Sequence, residues 1–355
     1  MLLLLLFPSA CAQEEYTLDG LYEFAGEYGI DLPLDAIAGF VQDPGSFSPE
    51  EFAAQLKEWA GEPIRELIAL AAGMFPAMLF LILLRAMMPD ASGGTGAAVF
   101  LIRLHIALGF TDAVCAVIED TVRCLNAALE LSDVLSPILA ALLAGSGLAG
   151  ASSLIGPAAA LTANLIETLF LRWGVPLCRF AFCCAIAGNL SKSISLKPVY
   201  RLMKKGVNWG TGMAITIFTA LLSLQGGITV SMDGVGLRTA KYAVDSAGPI
   251  IGSGISDVWE TYISGMALAR NTAGISGIAV ILALNALPLV RGFGCMLLLR
   301  LFSAAAEIMG EDGTAALTEQ FSGVCQMAIS LLAGGMAAVT ILLTAMLAAG
   351  RGLIG

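Results

Sequence analysis

Charge is what this sequence has least of. Asp, Glu, Lys and Arg together make up 13% of its 355 residues, about half the share of a soluble domain. So few charges cannot cover the surface of a water-soluble protein of this size, which excludes a free-standing soluble globule. Histidine is nearly absent, with one in the chain. There is no HExxH, no G-x-S-x-G nucleophile elbow and no G-x-x-x-x-G-K-[ST] loop to cradle a nucleotide. Gly252-Ser253-Gly254 reads as a turn rather than a phosphate loop. The expectation is a protein with no catalytic site, no cofactor and no metal centre. The eight cysteines form no CxxC pair and lie mostly inside apolar runs, so they read as small hydrophobes rather than redox or metal groups. Six Tyr and four Trp leave only a thin interfacial aromatic belt.

What is present is apolar sequence, 57% of all residues, with a mean hydropathy of +0.84. Forty glycines accompany it, tolerable where the backbone must stay hydrogen-bonded and small residues let helices approach. The candidate spans are 67–88, 97–118, 134–150, 154–172, 175–190, 209–230, 273–289, 291–308 and 325–348. About 20 residues at 1.5 Å rise cross roughly 30 Å of hydrocarbon, so the short pieces at 134–150, 175–190 and 273–289 are re-entrant or packed inside a bundle. The fold class expected is all-α, a polytopic transmembrane helical bundle of about seven to nine spans with a small N-terminal extracytoplasmic helical segment.

The net charge of −10 is unevenly distributed. Residues 13–62 hold twelve acids and one base, Lys57, a net −11, and the remainder is +1. An acidic segment of this kind argues against nucleic acid or anionic lipid as its own partner. Ahead of it, Leu2–Phe7 followed by Ala10-Cys11-Ala12 reads as a signal peptide over 1–12, cleaved before Gln13, with lipidation of Cys11 as the alternative. Residues 13–64 then form an acidic extracytoplasmic segment. In it Ser48-Pro49-Glu50-Glu51 is a capping box, Phe52, Leu56 and Trp59 share a face, and Gly61 is expected to stop the helix. The membrane domain is 65–355.

Orientation follows from the bases. Lys192, Lys197, Arg201, Lys204 and Lys205 crowd the stretch 191–209 with no acid, so this loop is expected on the cytoplasmic side. Counting back through five spans puts the acidic segment outside. Counting forward puts Glu307, Glu311, Asp312 and Glu319 outside and the C-terminus in the cytoplasm.

Two sets of polar residues are candidates for function. Arg103 and His105 lie in an apolar run, with Asp112 on the same face as His105, and Glu167 is deep in another. Intramembrane charges of this kind are expensive and are functional candidates by default. The bland alternative is that Arg103 snorkels from the inner end of its span. If Arg103 pairs with Glu167, then Glu167→Lys should be rescued by Arg103→Glu. The second set lies in 226–272, where charged residues interleave with apolar ones around Gly248-Pro249. This reads as two amphipathic helices and a turn on the outer surface.

The residues of this interval also carry a resemblance. Leu222-Ser223-Leu224-Gln225-Gly226, Asp233-Gly234-Val235, Leu237 to Ala243, Pro249-Ile250-Ile251-Gly252 and Ser256-Asp257 resemble the stage III sporulation protein AE family. Asn189-Leu190-Ser191, Lys204-Lys205 and Trp209 fit the same pattern, as does the plan of the whole chain. Arg238 stands where the family usually has lysine, and Ala247-Gly248 replaces a bulkier pair before the proline. The resemblance implies a membrane component of a sporulation channel linking mother cell and forespore. It implies an ATPase, ring-forming proteins and a forespore membrane protein as partners. Within it, Arg238, Lys241 and Asp257 are the candidate partner contacts, and Gly226, Gly234, Pro249 and Gly252 the turns that place them. A stand-alone secondary transporter is the alternative, since glycine-interrupted helices with internal charges also build midplane sites, although no internal repeat supports it.

Overall fold

The computed structural model describes residues 49–87, 93–145, 149–190, 196–224 and 272–349. Among the described residues every regular element is a helix: α1 (Pro49–Met87), α2 (Gly93–Gly145), α3 (Ala149–Asn164), π1 (Leu165–Gly174), α4 (Val175–Leu190), α5 (Lys197–Leu224), α6 (Thr272–Ile308) and α7 (Asp312–Ala349). Helices are what a bilayer demands, since each satisfies its backbone internally. The hydroxyls inside the bundle follow the same rule. Thr121, Thr162, Thr211 and Thr340 are buried and each donates to the carbonyl four residues earlier, which removes the penalty of an unpaired polar group.

Among the described residues five helical stretches are long and apolar enough to cross a membrane: Ile64–Leu84, Gly96–Asp133, Gly156–Asn189, Asn285–Ile308 and Asp312–Ala345. Several expected spans have merged. The pieces 154–172 and 175–190 form one rod, because α3, π1 and α4 run on without a break. Pro176 has no N–H and crowds the carbonyl a turn before it. The wider register, in which the Val175 N–H bonds the Phe170 carbonyl, carries the helix across this point. Similarly 273–289 and 291–308 are one helix, α6, which contains Pro288. In α1 the helix runs on through Gly61 and Pro63 to Met87, so Gly61 is not a stop. At 1.5 Å per residue, α2 with 53 residues is about 80 Å long, and α7 with 38 about 57 Å. Both exceed the roughly 30 Å of bilayer hydrocarbon.

The bundle is built around α7, most of whose residues are buried. Gly334 and Gly335 let three helices converge on it: a Cβ on Gly334 would meet Thr211 Cγ2 at 2.6 Å and Phe170 Cζ at 3.1 Å, and one on Gly335 would collide with Leu125. Phe182 packs on Phe321 with ring centroids 5.0 Å apart, and Phe110 on Phe302 at the same separation. These contacts fix direction. α2, α5 and α7 run one way, and α1, the α3–π1–α4 rod and α6 run the other.

One end of the bundle therefore gathers the end of α1, the start of α2, the end of α4, the start of α5 and the α6–α7 turn. The opposite end gathers Pro49, Gly145, Ala149, Leu224, Thr272 and Ala349. This corrects the forward count made from the sequence. Because α6 is one helix and not two, the acidic turn near Glu311 lies at the same end as the basic start of α5, and α7 ends opposite to it.

Candidate functional site

The α6–α7 turn begins with a glycine cap. Gly310 takes φ +80°, the Gly310 N–H bonds the Glu307 carbonyl at 2.9 Å and the Glu311 N–H bonds the Ala306 carbonyl at 2.8 Å, a Schellman closure that only a glycine completes without strain. Glu311 is thereby delivered to the N-terminus of α7, where the helix dipole favours a carboxylate. Arg103 from the start of α2 meets it at 3.1 Å, with side-chain exposures of 15% and 1% for the arginine and the glutamate. Gly313 makes room, because a Cβ there would strike the Arg103 guanidinium.

A second polar group lies on the same end, where α5 and α6 flank α7. The buried Tyr200 hydroxyl donates to the Gln320 carbonyl at 2.8 Å. The Arg300 Nε donates to Ser322 Oγ at 3.2 Å. Lys204 reaches the next residue of α7, its Nζ 3.1 Å from where a Cβ on Gly323 would sit. Burial pushes the Lys204 ammonium below its ordinary value and Arg300 adds in the same direction, while Glu319 opposes them.

At mid-height, Arg291 of α6 bridges Asp120 of α2 at 3.1 Å and Glu66 of α1 at 3.9 Å. Nearby, Glu119, Arg123, Asn126 and Glu130 of α2 and Arg179 of α4, with Val122 and Leu129, line an open cleft of about 550 Å³. The charges in this cleft are mixed in sign, so it has no strong preference for one sign of ligand. Among the described residues no group of three or more His, Cys, Asp or Glu is placed to hold a metal ion. Among the described residues no disulfide joins the cysteines, and Cys124, Cys178, Cys184, Cys295 and Cys325 are buried.

The structure reassigns the pair expected from the sequence. Arg103 binds Glu311, not Glu167. Glu167 instead pairs with Arg172 at 3.2 Å on the outer surface of π1, with 59% and 69% of the two side chains exposed. His105 is exposed. Gly226, Gly234, Arg238, Lys241, Pro249, Gly252 and Asp257 lie outside the described residues. The groups the sequence reading passed over are Arg291, Arg300 and Asp120. A signal was available: Arg291 and Arg300 sit in one apolar run, nine residues apart. Reading a break at Val290, between the spans 273–289 and 291–308, placed the first of them at the end of a span.

The family profile described as stage III sporulation protein AE matches residues 36–350. The chain is also similar to the Bacillus subtilis (strain 168) protein named stage III sporulation protein AE, 23% identical over 292 residues, covering 80% of this chain and 72% of that protein. No solved structure matches.

Proposed function

We propose, for a chain that belongs to the stage III sporulation protein AE family, a role as a non-enzymatic integral membrane component of a secretion-type channel complex that links mother cell and forespore. The observation that carries this reading is the family match over nearly the whole length of a chain built from membrane-length apolar helices. The protein would sit in the mother-cell membrane around the forespore, supporting forespore development. Its partners would be the ATPase, the ring-forming proteins and a forespore membrane protein.

The distribution of charge supports a sidedness for this role. The end of the bundle holding Lys197, Arg201, Lys204 and Lys205 would face the cytoplasm. The acidic segment 13–64, the interval 226–272 and the end of α7 would then emerge together on the other side, since Pro49, Leu224, Thr272 and Ala349 share the opposite end. The C-terminus would thus be extracytoplasmic, the reverse of the count from sequence. Arg238, Lys241 and Asp257 would meet partners in the intermembrane space, on turns set by Gly226, Gly234, Pro249 and Gly252.

Copurification from sporulating cells tests the role. A channel component brings down an ATPase and ring proteins. A stand-alone transporter brings down neither and moves a solute in purified liposomes.

A further inference from the structure

The α7 helix is enclosed on all sides but one. Between its first turn and Ile341, its incompletely buried residues, Ala316, Glu319, Gln326, Ser330, Ala333 and Ala337, recur at helical spacing and form one stripe. On a 3.6-residue helix this stripe falls midway between Ser322, Cys325 and Ile329, which meet α6, and Gln320, Gly323 and Gly334, which meet α5. Both α5 and α6 pack on α7, but among the described residues they scarcely touch each other. A groove therefore lies between them, floored by small and polar residues of α7.

Two cations enter this groove from opposite walls. Lys204 comes from α5 and Arg300 from α6, and they approach neighbouring residues of α7, Gly323 and Ser322. They are close enough for the charge of one to depress the other. Among the described residues neither has a carboxylate within ion-pair distance, and Arg300 has only the Ser322 hydroxyl. Glu319, the nearest acid, is exposed at the mouth of the groove. Like charges held together in a half-buried setting repel and lose hydration. An anion between them reverses both penalties, and a phosphate suits the pair, with its oxygens open to the planar guanidinium fork and the ammonium as a point charge.

We infer that Lys204 and Arg300 form a binding site for the phosphate of an anionic glycerophospholipid, whose acyl chain lies along the groove between α5 and α6. The occupant is a lipid rather than a free ion because the groove continues from the cations along α7. Basic pockets between membrane helices on the positively charged side take lipid headgroups in this manner.

The test titrates phosphatidylglycerol into the purified full-length protein in a neutral detergent. Bound lipid is read by native mass spectrometry and by the fluorescence of the chain's tryptophans. Phosphatidylglycerol should bind saturably. Lys204→Gln/Arg300→Gln should weaken it about thirtyfold, while Lys205→Gln, an exposed neighbour, should change it less than twofold. Glu319→Gln should bind more tightly, which guards against reading a misfolded double variant as a loss of the site. Equal binding by the double variant, weaker binding by Glu319→Gln, or no saturable phosphatidylglycerol binding at all would overturn the site. Displacement of the lipid by millimolar inorganic phosphate would overturn the lipid assignment, as would two chains joined with no lipid retained.

Discussion

Removing one partner of the Arg103–Glu311 pair is the sharpest perturbation this fold offers. The two charges are 3.1 Å apart and the Glu311 side chain is 1% exposed. At an effective dielectric of about 20, Coulomb's law gives an attraction of about 5 kcal/mol at that distance. Arg103→Met leaves a carboxylate buried without its counter-ion, a change that costs about 3–5 kcal/mol. The dipole of α7 compensates the carboxylate in part, by about 0.3–1 kcal/mol, so the lower half of that range is expected. Arg103→Met/Glu311→Met removes both charges and should recover most of the loss, because an apolar pair of similar volume is often as stable as a buried ion pair. Stability would be measured on the full-length protein in mixed micelles, by SDS-induced unfolding followed by circular dichroism, in a double-mutant cycle. Glu167→Gln is the internal control. Its pair with Arg172 is exposed on both sides, and its loss should cost under about 1 kcal/mol. The reasoning fails if Glu167→Gln costs as much as Glu311→Gln, or if Glu167→Lys is rescued by Arg103→Glu.

Three further outcomes are expected. Alkaline phosphatase joined after Ala349 should be active in intact cells and the same enzyme joined after Lys205 inactive; activity only after Lys205 would invert the proposed sidedness. Gly335→Val should destabilise the bundle by about 1–3 kcal/mol through overpacking against Leu125, whereas Gly73→Ala, where an added Cβ meets nothing within 4 Å, should be neutral or slightly stabilising through helix propensity; the same unfolding assay separates them. Arg291→Gln should cost about 1–2 kcal/mol, between exposed and buried pairs, because Arg291 is 35% and Asp120 14% exposed. Asp120→Asn in that background should add little.

Composition and pattern decided much of this protein before any contact was known. So little charge with so many apolar runs admits only a membrane solution, and a membrane admits helices. The cluster of bases at 191–209 was legible as one end of the bundle, and the fragments around 222–257 pointed to the family that the profile match identifies. Those properties are local, written in consecutive residues.

Two things were not local, and the tertiary structure decided them. Arg103 and Glu311 stand 208 residues apart, and nothing in the neighbourhood of either names the other; the meeting depends on α2 and α7 running parallel and on Gly310 turning the chain. The continuity of α6 was the second. The sequence reading ended one span at Leu289 and began the next at Arg291, just past Pro288, whose missing donor is unfavourable in a helix. The helix survives because Asp120 and Glu66 on its neighbours answer the charge. That single compensation removes one crossing from the count, and every residue after it changes sides.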